Sequence, residues 1–340
     1  MDRTLDIKTS KCYIIAEIGG GFTNFEQAKH LIDSAAECGV DAVKLQTYRA
    51  ETIASKNAIF DMENTGVMSQ YDLFKKYEVS EELHREVFSY IESKNLDWFS
   101  TPSHESDVDM LERLGVVAHK IGSDDAINIP FLRYVASTGK SVILSTGMCT
   151  LQEVRDSVSA ILGEGNERII LLHAITCYPT YPKDVNLSAM LTLQREFPDL
   201  VIGYSDHTLS PLACVCAAAM GAQMIEKHFT CDKNADGPDH MLSADPKEMK
   251  WLVDSIREFE IMRGSGIKRP ADSEKGTRIN NRKSLVLARA IKAGERLTRD
   301  HLAIKRPGTG IEPCYFEEVI GRSVVNDSDA DAVLKWDDLS

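Results

Sequence analysis

Apolar and polar positions follow a repeating order along most of the chain. Short apolar runs alternate with longer stretches whose apolar residues recur at helical spacing. The runs predict strands at Tyr13–Ile18, Ala42–Gln46, Asp97–Thr101, Ala118–Gly122, Ser141–Ser145, Ile169–His173, Val201–Ser205 and Met224–His228. The periodic stretches predict helices at Phe25–Cys38, Glu81–Lys94, Glu105–Leu114, Ile129–Thr138, Leu151–Leu162, Asn186–Phe197, Pro211–Met220 and Pro246–Met262. Strict alternation of eight strands and eight helices over about 260 residues predicts an α/β fold, the (β/α)8 TIM barrel. A doubly wound open sheet is the alternative, but no GxGxxG follows the first strand to suggest a dinucleotide site. Residues 48–79 break the alternation and read as a long, irregular, polar excursion, a length usually tied to function or flexibility.

The pattern changes after the last helix. Residues 264–282 are rich in Gly, Ser, Pro and charge and read as a linker. Residues 283–340 carry short strand-like runs, Ser284–Ala288 and Leu302–Lys305, with Gly294 and Gly308-Thr309-Gly310 as turns. They predict a small β-rich module, too small to be a robust fold alone. The barrel is accordingly assigned residues 1–263.

A closed barrel carries its chemistry at the C-terminal ends of its strands. Here those ends offer Glu17, Lys44 and Gln46, Thr101, Lys120 and Ser123, Ser145, and Thr176 with Tyr178. The last two strands end in Ser205 with His207 and in Glu226 with His228. If those strands are parallel neighbours, about 4.8 Å apart, both imidazoles reach one metal ion. The bland alternative is a pair of histidines bonded to backbone. A lysine facing a barrel interior is costly unless an anion neutralises it. Lys44 and Lys120 with the hydroxyls of Thr101, Ser123 and Ser205 therefore predict a cradle for phosphate or carboxylate. Static ion pairs with Glu17, Asp125 or Glu226, or a Schiff-base role for Lys120, are the competing readings.

Composition narrows the classes. The chain has 340 residues, 43% hydrophobic and 27% charged, as in a globular protein. A net charge of −13 argues against nucleic acid. No apolar run approaches the ~18 residues of a membrane span. The N-terminal MDRTLDIKTSKCY contains no apolar signal segment, and the eight cysteines are scattered without a CxxC pair. A reducing, cytoplasmic setting is expected.

The rim residues lie in motifs that resemble the sialic acid synthase family, which includes the legionaminate and pseudaminate synthases. The motifs are IIAEIG (14–19), DAVKLQTY (41–48), STP (100–102), KIGS (120–123), ILSTGM (143–148), CYPT (177–180), DVNLSAM (184–190), GYSDHT (203–208), IEKHFT (225–230), GPDH (237–240) and KRPGTGI (305–311). The resemblance implies a TIM barrel followed by a small antifreeze-like (SAF) domain. It implies condensation of phosphoenolpyruvate with an N-acetylated amino sugar, N-acetylmannosamine or a related hexosamine, to a nine-carbon 2-keto sugar acid and phosphate. By the same resemblance His207 and His228 match ligands of a divalent ion, Mn2+ or Mg2+. Lys44, Lys120, Thr101, Ser123 and Ser205, joined by Ser145, match phosphoenolpyruvate contacts, and Thr176 shares their rim. Glu17, Gln46, Tyr178 and Asp239 match sugar contacts, with Glu17 also a proton carrier. Glu226 and Asp125 complete the candidate catalytic carboxylates. Arg306 matches an arginine lent across subunits, which implies a domain-swapped homodimer.

Two stretches depart from the family pattern. Asn-His-x-Gly usually follows AEIG, where this chain has Gly20-Gly21-Phe22-Thr23, which could admit a sugar substituent that N-acetylmannosamine lacks. Gly-Glu usually follows KIGS, where this chain has Asp124-Asp125. Asp125 is the expected substitute for the water-activating glutamate. The alternatives are another phosphoenolpyruvate-dependent 3-deoxy-keto-acid synthase, or a sugar-binding homologue without turnover.

Overall fold

The computed structural model describes Leu5, Ile7 and residues 11–62 and 66–340. They form two compact units, Met1–Gly264 and Ser265–Ser340.

The first unit is a closed barrel. Its parallel strands are β1 (Tyr13–Glu17), β2 (Ala42–Thr47), β5 (Asp97–Pro102), β6 (Ala118–Ile121), β7 (Ser141–Ser145), β8 (Ile169–Ala174), β9 (Val201–Asp206) and β10 (Met224–His228), and β1 closes on both β2 and β10. Helices α1 (Phe25–Cys38), α4 (Glu81–Ser93), α5 (Glu105–Leu114), α6 (Ile129–Ser137), α7 (Leu151–Gly163), α8 (Ser188–Glu196), α9 (Leu212–Ala219) and α10 (Pro246–Arg263) follow the strands in turn. Local chemistry fixes the helix ends. Asn24 caps α1 by accepting from Gln27 N, and Gly39 ends it in the left-handed region. Reciprocal capping boxes start α7 (Thr150 with Glu153) and α10 (Asp245 with Glu248). Outward strand residues such as Val43, Leu45, Leu144 and Ile225 are buried in the apolar core. No helix among the described residues is long and apolar enough to cross a membrane.

The described residues of the excursion predicted as irregular form regular elements. These are helix α2 (Ala50–Ile53), an antiparallel hairpin of β3 (Ile59–Met62) and β4 (Gly66–Ser69), and helix α3 (Gln70–Tyr77). The hairpin's apolar residues fall in adjacent pairs, Ile59-Phe60 and Val67-Met68, and not in alternation, so no strand period marks it.

In the second unit, the stretch predicted as a linker carries the short helix α11 (Lys275–Asn281), and its residues are exposed. Strands β11 (Ser284–Leu287) and β12 (Leu302–Lys305) then pair antiparallel. Leu285, Leu287, Leu297, Ile311 and Leu334 belong to a separate small core, and isolated antiparallel bridges such as Val286–Val333 and Val324–Leu339 extend the β character.

Candidate active site

Parallel register at the strand ends decides which side chains meet. Glu17 lies opposite both His228 on β10 and Lys44 on β2. Gln46 lies opposite Thr101, and Ser205 opposite Glu226. The inward positions of β2, Lys44 and Gln46, face a cavity of about 430 Å3 at this end of the barrel. Thr101, Lys120, Ser123, Ser145, Thr176, Tyr178, Ser205, His207, Glu226, His228 and Asp239 also line it. Apart from Glu17, the residues predicted from strand ends are thus brought to one mouth.

One side of the cavity is cationic. Lys120 donates to Ser145 Oγ at 2.7 Å and to Ile121 O at 3.1 Å. Lys44 donates to Thr101 Oγ1 at 2.8 Å and pairs with Glu17. Glu226 stands between the two ammonium groups, 3.8 Å from Lys120 and 4.0 Å from Lys44, and its Oε1 accepts from Ser205 Oγ at 3.0 Å. Burial works against the Glu226 carboxylate, but Lys120 and Lys44 outweigh it and lower its pKa. Burial likewise disfavours the Lys44 ammonium, and Glu17 and Glu226 outweigh it. Lys120 is left weaker: burial prevails and takes its pKa down to about 8. Two buried oxygens here, Glu226 Oε2 and Thr176 Oγ1, have no hydrogen-bond partner among the described residues. Buried polar atoms of that kind mark where a ligand or water belongs. Gly147 permits the close packing, since a Cβ there would lie 2.8 Å from Ser123 Oγ.

The other side holds the histidines. The His207 and His228 rings lie 5.5 Å apart, and Tyr178 lies 4.3 Å from the His207 ring. His207 Nδ1 is 2.7 Å from the Ile175 carbonyl, so it carries the proton and leaves Nε2 free to coordinate. Burial lowers the pKa of both rings, and for His228 the neighbouring His207 adds to the effect. Neutral imidazoles are the form a metal binds. Asp239 Oδ2 lies 3.7 Å from His228 Nδ1, and burial, with Glu17 adding, pushes the Asp239 carboxyl up to about 7. Among the described residues no group of three or more His, Cys, Asp or Glu side chains forms a ready-made metal cage. The donor set fits a divalent ion held by two imidazoles, with its other positions open to water and substrate.

Three predicted residues sit elsewhere. Glu17 lies beneath the lining, where its Oε1 accepts from Gly19 N at 2.5 Å. Asp125 is corrected: it does not line the cavity, because its carboxylate turns to Asn128 Nδ2 at 2.9 Å ahead of α6, and Asp124 lines the cavity instead. Arg306 belongs to the second unit, where a cis peptide bond joins it to Pro307.

The excursion adds an unpredicted wall. Ile53, Phe60, Leu73, Phe74 and Tyr77 line the cavity beside Tyr48. Tyr77 donates to Asp236 O at 2.9 Å, which ties α3 to the loop carrying Asp239. The only sequence signal for this wall was the length of the excursion.

Comparison with known proteins agrees with this architecture. A profile of the NeuB family matches residues 31–268, and one of the SAF domain matches residues 282–340. The chain belongs to the NeuB family. It is 44% identical over 335 residues to an uncharacterized protein of Methanocaldococcus jannaschii, covering 98% of this chain and 96% of the relative. It is 42% identical over 337 residues to an N,N'-diacetyllegionaminic acid synthase of Legionella pneumophila, covering 96% and 94%. Among solved structures, the N-acetylneuraminic acid synthetase of Leptospira borgpetersenii superposes with a TM-score of 0.70 at 33% identity, covering 78% of this chain and 90% of that one. The cavity just described is therefore the mouth of a NeuB-family barrel.

Proposed function

We propose that the chain condenses phosphoenolpyruvate with the open-chain aldehyde of an N-acetylated amino sugar, giving a nine-carbon 2-keto sugar acid and phosphate. What supports the reading is that an ammonium-and-hydroxyl wall and a pair of neutral imidazoles line the same cavity. Lys44 and Lys120 with the hydroxyls of Thr101 and Ser145 form one wall. His207 and His228 form the other.

Lys44 and Lys120 bind the phosphate and carboxylate of phosphoenolpyruvate and fix its enol carbon toward the histidine side. Ser123, Ser145, Thr176 and Ser205 donate or accept the remaining hydrogen bonds. A divalent ion, Mn2+ or Mg2+, on His207 and His228 would supply Lewis-acid polarisation of the aldehyde oxygen. The enol carbon attacks the aldehyde carbon, a C–C bond forms, and the aldehyde oxygen takes a proton. Asp239 sits beside the histidines with a pKa pushed up to about 7 and is suited to hold that proton. The cation left at the neighbouring carbon is stabilised by Glu226. Water adds there, loses its proton toward Glu226 or Asp124, and the C–O bond to phosphate breaks. Gln46, Tyr178 and Asp239 hold the sugar, and Glu17 keeps Lys44 charged.

The sugar we infer carries a second acetamido group. Gly20 lines the cavity where the family pattern has asparagine, and the excursion adds an apolar wall. The similarity to the Legionella enzyme supports the same choice. The swapped homodimer, with Arg306 of one subunit completing the site of the other, belongs to this proposal. Exposed Met148, Leu209 and Met241, on loops after β7, β9 and β10, are apolar surface that a second subunit would cover. A cytoplasmic location follows from the use of phosphoenolpyruvate.

The test is a panel of hexosamines with phosphoenolpyruvate and Mn2+, followed by phosphate release and mass spectrometry of the product. Release of phosphate with a product of sugar plus pyruvate mass is expected. No turnover with any hexosamine by folded protein would reject the proposal.

A further inference from the structure

Behind the two histidines lies a charged pair that the chemistry above does not use. Asp206 and Lys227 each precede a histidine, His207 and His228, and they are register partners on β9 and β10. Their side chains point away from the cavity and are 0% exposed, with 2.9 Å between Lys227 Nζ and Asp206 Oδ2.

Every polar atom of the pair is engaged. Asp206 Oδ1 accepts from Tyr204 OH at 2.9 Å and from Thr208 N at 3.0 Å. Its Oδ2 accepts from Thr208 Oγ1 at 3.1 Å and from Cys214 Sγ at 3.4 Å. Lys227 donates to the carbonyl of Thr208 and, at 3.4 Å, to that of Leu242. His207 is thereby flanked by two residues anchored on one carboxylate. The Leu242 bond reaches the loop that carries Asp239. One ammonium thus ties together the backbone around His207, His228 and Asp239.

A fully buried ion pair is a poor device for stability, since desolvation offsets most of the attraction. It is a good device for fixing geometry when every bond is satisfied. We propose that Asp206 and Lys227 are positioning residues that set the separation and aim of the two imidazoles for the metal. The inference rests on the proposed metal at His207 and His228.

The experiment compares full-length wild type with the charge-free double variant Asp206→Asn/Lys227→Met, which leaves no lone buried charge. Mn2+ affinity is measured by calorimetry, phosphoenolpyruvate affinity is measured in metal-free buffer, and folding is followed by thermal denaturation. The expected result is cooperative unfolding, phosphoenolpyruvate affinity within about twofold of wild type, and Mn2+ affinity lower by about 10- to 100-fold, the usual effect of losing groups behind a ligand. Mn2+ affinity equal to wild type overturns the proposal. A double variant that does not fold also overturns it, because the pair would then serve folding and not aim. Wild type that binds no Mn2+ removes the metal itself and this inference with it. That outcome is read on the unsubstituted chain and so is distinct from the others.

Discussion

Lys120 and Glu226 face each other at 3.8 Å, too far for a hydrogen bond and close enough for strong attraction across a buried cavity. The ammonium instead spends its donors on Ser145 and a carbonyl. An ammonium so placed is free to take a phosphate oxygen without first breaking a tight pair. Lys120→Met should therefore raise the KM for phosphoenolpyruvate. One charge-assisted hydrogen bond corresponds to about 1.5–3 kcal/mol, or roughly 10- to 150-fold. Steady-state kinetics with phosphoenolpyruvate varied at saturating sugar checks this, and an unchanged KM would remove Lys120 from the anion site.

The same residue should set an alkaline limb. Burial takes its pKa down to about 8; Glu226 resists, Lys44 adds to the fall, and Glu17 and Asp124 resist further. The charged form binds the anion, so binding is complete below that pH and is lost as pH rises through it. The value of kcat/KM for phosphoenolpyruvate reports free-enzyme groups and should fall above about pH 8. Lys120→Arg keeps its charge throughout and should lack this limb. A limb at the same pH in the arginine variant would assign it to another group.

Chelation should abolish turnover, and added Mn2+ or Mg2+ should restore it. His228→Ala should lower Mn2+ affinity by at least about 100-fold, more than the loss of a group behind a ligand. Activity should fall with it, while phosphoenolpyruvate binding without metal stays near wild type. Metal titration of the purified variant reads this directly. Unaltered metal binding would mean that the two rings serve only to pack against Tyr178.

The barrel was legible in the sequence because its strands are short apolar runs and its helices carry clean 3.6-residue periodicity. The site was legible because polar side chains at strand ends had nowhere to go but the mouth, as with Lys44 and Gln46 on one face of β2. Three features were not legible. The β3–β4 hairpin is exposed enough that no apolar alternation marks it. Asp124 and Asp125 are adjacent in a turn, and only coordinates tell which one the Asn128 amide draws away. Asp206 and Lys227 are charged residues on outward strand faces, and spacing gives no hint that both are buried.

The apolar wall of the excursion leads to a prediction about sugar choice. Phe74 packs edge-on against Tyr48 at 5.0 Å and against Phe60 at 5.7 Å, and it lines the cavity. The cationic cradle is built from barrel strands, so the excursion acts on the sugar and not on phosphoenolpyruvate. An acetamido methyl against an aromatic ring gains from burial, whereas a hydroxyl at the same place loses its water. Phe74→Ala should therefore reduce kcat/KM for a 2,4-diacetamido hexose more than for N-acetylmannosamine. An apolar contact of this size corresponds to about 1–3 kcal/mol, so the ratio of the two should fall by roughly tenfold or more. The KM for phosphoenolpyruvate should stay within about twofold. The check is kcat/KM for both sugars at saturating phosphoenolpyruvate, with thermal denaturation as a control for folding. Equal losses for the two sugars would mean that the wall closes the cavity without reading the substituent, and Gly20 would be left as the residue that selects the sugar.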